Sequence, residues 1–361
     1  MPRASTRRTG VRKAISLLDI PLYRDYTFAF FSEAAIKLCT GKDLDELNQQ
    51  TLNDIIVGVS NCIREEIEKL RTRNIDPCNT VPVPTTGNDP RDKMSLCHAY
   101  KTLTDFSMGV KHESFVLPSA FSLEFTEFTR SFMGSGKPKR EIFIIDEEVL
   151  ALAVLGSYLT HSYAIGGEYG YIYIDVVPYI LALERVRKMN SIARRLIYTI
   201  QKNEGSINTI LLGIATAARL SIKEFIKDVA RSDFHVIANF LRMSRTGTKK
   251  KVMVKGFDSI DVIQLVKIIG RGGIAGALYR MLARYPKTNF TSLRRFIEMV
   301  SINLIKFQSF RKPQYIYEIL RYLTSDELNR EGAQWYVKKN GEGLGWSDIV
   351  NRFSNLSRLV S

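Results

Sequence analysis

Apolar residues recur at helical spacing through most of the chain. Helices are expected from about Tyr26 to Leu38 and from Leu44 to Leu70. In the second stretch Leu47, Leu52, Ile55, Ile56, Val59, Ile63, Ile67 and Leu70 keep to one broad face, and Arg64, Glu65, Glu68 and Lys69 take the other. Pro77, Pro82, Pro84 and Pro90 then interrupt every regular pattern, which predicts a long surface loop between Arg73 and Pro90. A short helix is expected near His98 to Phe106. Phe121, Phe125, Phe128 and Phe132 recur at helical intervals, a stripe that reads as core rather than as a stacking surface.

The pattern changes after GSGKPKR, a turn that marks a boundary. EIFII at 141–145 predicts a compact strand, and DEEVLALAVLGSYL a helix whose acids sit at its positive end. Gly166 and Gly167 introduce EYGYIYIDV, a strand with Tyr169, Tyr171 and Tyr173 on one face and Ile172, Ile174 and Val176 on the other. No basic-aromatic ribonucleoprotein signature accompanies the tyrosines, so they read as packing. A helix from Pro178 to about Lys202 buries Ile180, Leu183, Val186, Ile192, Leu196 and Ile200, and two more helices are expected over about 206–218 and 221–243. Val252, Met253 and Val254 suggest a short strand, after which Asp258 or Ser259 caps a helix through Val262, Ile263, Leu265, Val266 and Ile269.

Beyond that point the pattern is helical almost throughout. Leu293, Phe296, Ile297, Val300, Leu304 and Phe307 form one stripe, and Tyr315, Ile316, Ile319, Leu320 and Leu323 another. Thr324 with Glu327 predicts a capping box, and Ile349, Phe353, Leu356 and Val360 a last amphipathic helix. The fold class expected is α+β, predominantly helical, with a small central β-sheet and a helical-bundle C-terminal region. Three regions are expected: a mainly helical one with the Pro-rich loop (1–135), a central α/β one with a basic loop (136–256) and a helical bundle (257–361).

Charge sharpens this picture. The 361 residues carry a net charge of +15, which favours a phosphate-rich partner. From Arg242 to Lys255 the ionisable residues are Arg242, Arg245, Lys249, Lys250, Lys251 and Lys255, with no acid among them. The helix after Pro178 adds a one-sided face with Arg187, Arg194 and Arg195, and Arg3, Arg7, Arg8, Arg12 and Lys13 make the N-terminus basic. Cys39, Cys62, Cys78 and Cys97 read as too few and too scattered for a disulfide framework, which suits a reducing compartment. With no secretory signal and no run long enough to span a bilayer, a soluble cytoplasmic protein without membrane contact is expected.

Catalytic patterns fail one by one. Ser131 stands where a phosphate-binding loop needs its first glycine, and Pro138 where it needs its hydroxyl. His98, His112, His161 and His235 show no His-Asp dyad and no zinc-protease spacing, and Cys78, Cys97 and His98 make only a poor zinc set. Asp146 and Asp175 each end a strand-like run, but no acid-x-lysine follows to complete a nuclease core. Gly270 to Gly273 matches the G-x-x-G loop that clamps nucleic-acid backbones, yet no strands follow. These glycines read as a helix-helix turn that brings Arg271 near a phosphate. No catalytic residue, metal or cofactor is expected.

The stretch KKKVMVKGFDSIDVIQLVKIIGRGGIAGALYRMLARYPKTNFTSLRRFIEMV resembles the C-terminal part of the large subunit of the archaeal type I-A CRISPR interference complex, Cascade. GGEYGYIYIDV is similar to that family's middle region. The resemblance covers roughly the last two thirds of the chain and rests on element order rather than on a signature motif. It implies a non-catalytic subunit of an antiviral ribonucleoprotein that sits beside the guide RNA, helps inspect the motif flanking the target and holds target DNA. It also implies backbone and small subunits as partners, and a separate helicase-nuclease that cuts. The alternatives are a metal-dependent nuclease whose acids meet only in the fold, and a purely structural assembly subunit.

Overall fold

The computed structural model describes residues 14–79, 94–118, 120–123, 143–177, 182–204, 209–222, 235–246, 251–283, 290–337 and 345–360. They form a predominantly helical α+β protein with a small antiparallel sheet, as the sequence predicts. The chain gathers into two compact units, one of residues 1–159 with 245–254, the other of 160–244 with 255–361.

In the first unit a 3-10 turn (Leu17–Tyr23) leads into α1 (Thr27–Thr40), α2 (Leu52–Arg71) and α3 (Leu96–Ser107). The expected helix over 44–70 is broken: Leu44–Glu46 is a 3-10 turn, and Asn48 accepts from the amides of Gln50 and Thr51 before α2 begins. α2 buries Ile55, Ile56, Val59, Ile63 and Ile67, the apolar face its spacing announces. Strand β1 (Ser114–Val116) pairs antiparallel with β2 (Ile144–Asp146), and Ile15 bridges to Ile145. Helix α4 (Glu147–Thr160) follows, so closely packed that a β-carbon on Gly156 would overlap the Phe31 carbonyl. Of the phenylalanine stripe only Phe121 is described; it is buried edge-on against Phe31, and Phe125, Phe128 and Phe132 lie outside the described residues.

The cysteines correct the sequence reading. Cys39 is bonded to Cys62 and Cys78 to Cys97, leaving no free cysteine. The first bridge staples α1 to α2 within the core; the second ties Cys78, seven residues beyond the end of α2, to the first turn of α3. Their spacing in sequence hides this, because both partners are brought close only by helix packing. A zinc set of Cys78, Cys97 and His98 is therefore ruled out, and cysteine usage no longer argues for a reducing compartment.

A four-stranded sheet runs in the order β3 (His161–Ile165), β4 (Glu168–Val177), β5 (His235–Thr246), β6 (Lys251–Asp261); residues 245–246 and 251–254 of its last two strands are counted with the first unit and the rest with the second. The predicted helix over 221–243 is overturned: helix α6 (Thr209–Ile222) ends, and 235–246 is a strand paired with β4 over ten residues. HVIANFL is rich in residues that suit a pleated, buried surface, and the β4 partner decides its conformation. β6 is likewise longer than the predicted 252–254 strand. Asp258 and Ser259 lie within it, and Asp261 caps the next helix by accepting from the Ile263 amide at 3.0 Å.

Helix α5 (Leu183–Glu204) packs on β3 and β4. Where β3 stops, Asn190 takes over as partner of β4: its amide accepts from Ile174 N at 2.7 Å and donates to Ile174 O at 3.1 Å. Helices α7 (Val262–Arg271) and α8 (Ala275–Ala283) meet at 117° across Gly272 and Gly273. The G-x-x-G stretch is thus the helix-helix turn expected, with Gly273 at φ +66°, where a side chain would be strained. Helices α9 (Thr291–Phe310), α10 (Gln314–Tyr322), α11 (Asp326–Val337) and α12 (Trp346–Ser354) complete the unit. Helix α11 begins at Asp326, one residue too late for Thr324 to cap it with Glu327; the Thr324 hydroxyl instead donates back to the Arg321 carbonyl, and 355–359 is a 3-10 turn. Among the described residues no single helix is long and apolar enough to cross a membrane.

Candidate nucleic-acid interface

Two long neighbouring strands, β5 and β6, carry the acid-free basic run between them. Lys249 and Lys250 lie outside the described residues, and Lys251 opens β6 with its side chain likewise undescribed. Arg242, Arg245 and Lys255 are half-buried on the flanking strands.

Arg242 is committed to the sheet. Tyr163, Gly170 and Arg242 are register partners across β3, β4 and β5 and so share one face. The Tyr163 ring fills the hollow over Gly170, where a β-carbon would overlap it, and the Arg242 guanidinium lies over Gly256 of β6, 3.2 Å from where a β-carbon would stand. Burial pushes the Tyr163 hydroxyl up to about 12, while the nearby Arg242 charge pulls it back. Of the cations predicted to grip phosphate, this one packs against the protein instead.

Along α5, Arg195 is exposed, whereas Arg187 and Arg194 are half-buried. Arg194 lies beside His161, whose pKa is lowered first by burial and then by that charge. His161 pairs with Tyr171 on the face opposite Arg242, so the structure does not bring the α5 arginines and Arg242 together. Tyr171 and Tyr173 are buried, as their packing reading requires, and Tyr169 is half-buried.

Arg271 is exposed at the end of α7 and lines a groove with Lys267 and Arg311. Lys267 and Arg311 escaped the sequence reading. Lys267 was legible as the i−4 neighbour of Arg271 on one helix, while Arg311 joins them only through the packing of α9 against α7.

The histidines find acids that sequence spacing concealed, although none of these pairs is a His-Asp dyad adjacent in sequence. His235 Nδ1 lies 2.7 Å from Asp261 Oδ2, His112 Nδ1 lies 2.9 Å from the buried Glu148, and His98 Nε2 lies 3.1 Å from Glu147. Asp261 also caps α7, and Glu147 and Glu148 occupy the first turn of α4, so each acid has a structural task. Asp146 accepts from Ser114 at 2.8 Å, and Asp175 belongs to the other unit. Among the described residues no group of three or more His, Cys, Asp and Glu is placed to hold a metal ion. No protein-family model matches the chain, and no curated protein matches it in sequence.

Proposed function

We propose that this chain is a non-catalytic, nucleic-acid-binding large subunit of a type I-A CRISPR Cascade effector. The observation that carries the binding reading is the acid-free run from Arg242 to Lys255, set between two long neighbouring strands of a chain with net charge +15. Such a run attracts phosphates from any sequence and suits a subunit that grips duplex and displaced DNA while base pairing with the guide reads the target. Arg195 and Arg271 add exposed positive charge in the second unit. The Cascade assignment rests on the resemblance of two stretches, Lys249 to Val300 and Gly166 to Val176. Partners in this reading are guide RNA and target DNA, backbone and small subunits, and a separate helicase-nuclease.

Native purification from the source organism tests the assignment. The chain is expected to copurify with other subunits and with short RNAs of uniform 5′ end. Recovery of the chain alone and without RNA would overturn it.

A further inference from the structure

We propose that the groove lined by α7, the end of α9 and the C-terminal 3-10 turn docks an acidic partner protein, taking an extended segment in which an apolar side chain is flanked by carboxylates. The inference goes beyond the nucleic-acid reading, which the run from Arg242 to Lys255 carries without it.

Helix α7 turns Val262, Ile263, Leu265, Val266 and Ile269 into the core. Gln264, Lys267 and Arg271, at i, i+3 and i+7, consequently line the groove. Lys267 and Arg271 are one helical turn apart, about 6 Å along the axis, and alternate side chains of an extended peptide are about 7 Å apart, so carboxylates at i and i+2 can face both cations at once. Arg311 adds a third cation from the end of α9 and donates from Nη2 to Gln264 Oε1 at 3.2 Å. It adopts φ +54°, a left-handed conformation that favours glycine, and a strained residue held in place by its neighbours points to a task beyond folding.

The rest of the lining is apolar: Ile268, Phe307, Pro313, Leu359 and Val360, with no acid among the described residues around it. The cavity measures about 590 Å³, a size at which sites bury a ligand. Lys267 and Arg271 make no ion pair with any described residue, so the acid that complements them comes from a partner. The apolar share decides between partner classes. A phosphate takes up charge and hydrogen bonds but covers no apolar surface, whereas a peptide with carboxylates and an apolar side chain answers both halves of the lining. Phe307, the aromatic residue of the lining, is 7% exposed and offers no open ring to a base.

The test is fluorescence anisotropy of the full chain with a labelled heptapeptide of alternating glutamate and leucine, beside the same peptide with glutamine for glutamate or serine for leucine, and a labelled dT15 single strand. The glutamate-leucine peptide should bind, and Lys267→Gln with Arg271→Gln should weaken it roughly tenfold. Arg311→Gly, which suits the left-handed backbone and so keeps the helix end, should weaken it as well. Replacing Lys249, Lys250 and Lys251 by alanine should leave it bound as in the wild type. Equal binding of the glutamine peptide overturns the acidic partner, and equal binding of the serine peptide overturns the part given to the apolar lining. Wild-type affinity in both groove variants overturns the site. No binding of the glutamate-leucine peptide by the wild type overturns the inference; dT15 binding that the groove variants then weaken gives the groove to nucleic acid, and dT15 binding that they spare leaves the nucleic-acid reading standing without it.

Discussion

Reduction of the two disulfides should loosen the first unit in two steps. Cys39 and Cys62 are 5% and 4% exposed between α1 and α2, whereas Cys78 is exposed and Cys97 half-buried. A mild reductant therefore reaches Cys78–Cys97 in the native protein and Cys39–Cys62 only when the helices part. The bridges join residues 23 and 19 apart, and closing loops of that size restricts the unfolded chain by about 3 kcal/mol each. For a unit of this size that corresponds to about 6–12 °C in melting temperature per bridge. Calorimetry with and without reductant, beside thiol titration in native buffer and in denaturant, reads both effects. Two thiols should appear in the native reduced protein and four after denaturation. Four titratable thiols in unreduced, denatured protein would refute the pairing. An unchanged melting temperature for Cys39→Ser with Cys62→Ser would refute the assigned stabilisation.

Three further outcomes follow from particular contacts. Asn190→Leu strips Ile174 of hydrogen-bond partners for its N–H and C=O, and each buried orphan costs about 1–3 kcal/mol; denaturant titration should show a loss of about 2–6 kcal/mol, and a neutral change would show that β4 does not need the helix there. Burial and Arg194 hold His161 below its ordinary 6.5, so as pH falls the unfolded chain takes up this proton before the folded one does. The contribution is whole above about pH 6.5 and is lost progressively below it until the folded-state pKa is passed. His161→Phe should lessen the stability difference between pH 7 and pH 5, and an undiminished difference would contradict that. The purified chain should not cleave DNA or RNA with Mg2+ or Mn2+; cleavage abolished by Asp146→Asn or Asp175→Asn would establish the nuclease alternative.

Legibility followed covering. Helices with one wet face, such as α2 and α9, announce themselves because Ile55, Ile56, Val59 and Ile63, or Leu293, Phe296, Ile297 and Val300, repeat against exposed charges. β5 does not, since Val236, Ala238 and Phe240 on one face and Leu241 and Met243 near them on the other are all buried. A strand covered on both sides reads as a continuous apolar run, which a buried helix also produces. The basic run was legible as charge, but the packing of Arg242 over Gly256 was not, because it depends on strand register. The groove cations share that fate: Lys267 and Arg271 are neighbours on one helix, and Arg311 is 40 residues away in sequence from Arg271. The histidine-acid pairs and the disulfides are likewise properties of packing, with no spacing in sequence to betray them.

The central claim is that the run between β5 and β6 grips nucleic acid by charge, and the salt dependence of duplex binding tests it most directly. Each lysine that neutralises a phosphate adds about 0.9 to the slope of log K against log salt. Replacing Lys249, Lys250 and Lys251 together by alanine should weaken binding across unrelated sequences and flatten that slope by about one to three units. Melting temperature should barely move. Affinity and slope both at wild-type values in the triple variant would contradict the claim, and failure of complex assembly in the same variant would assign the run to a protein partner.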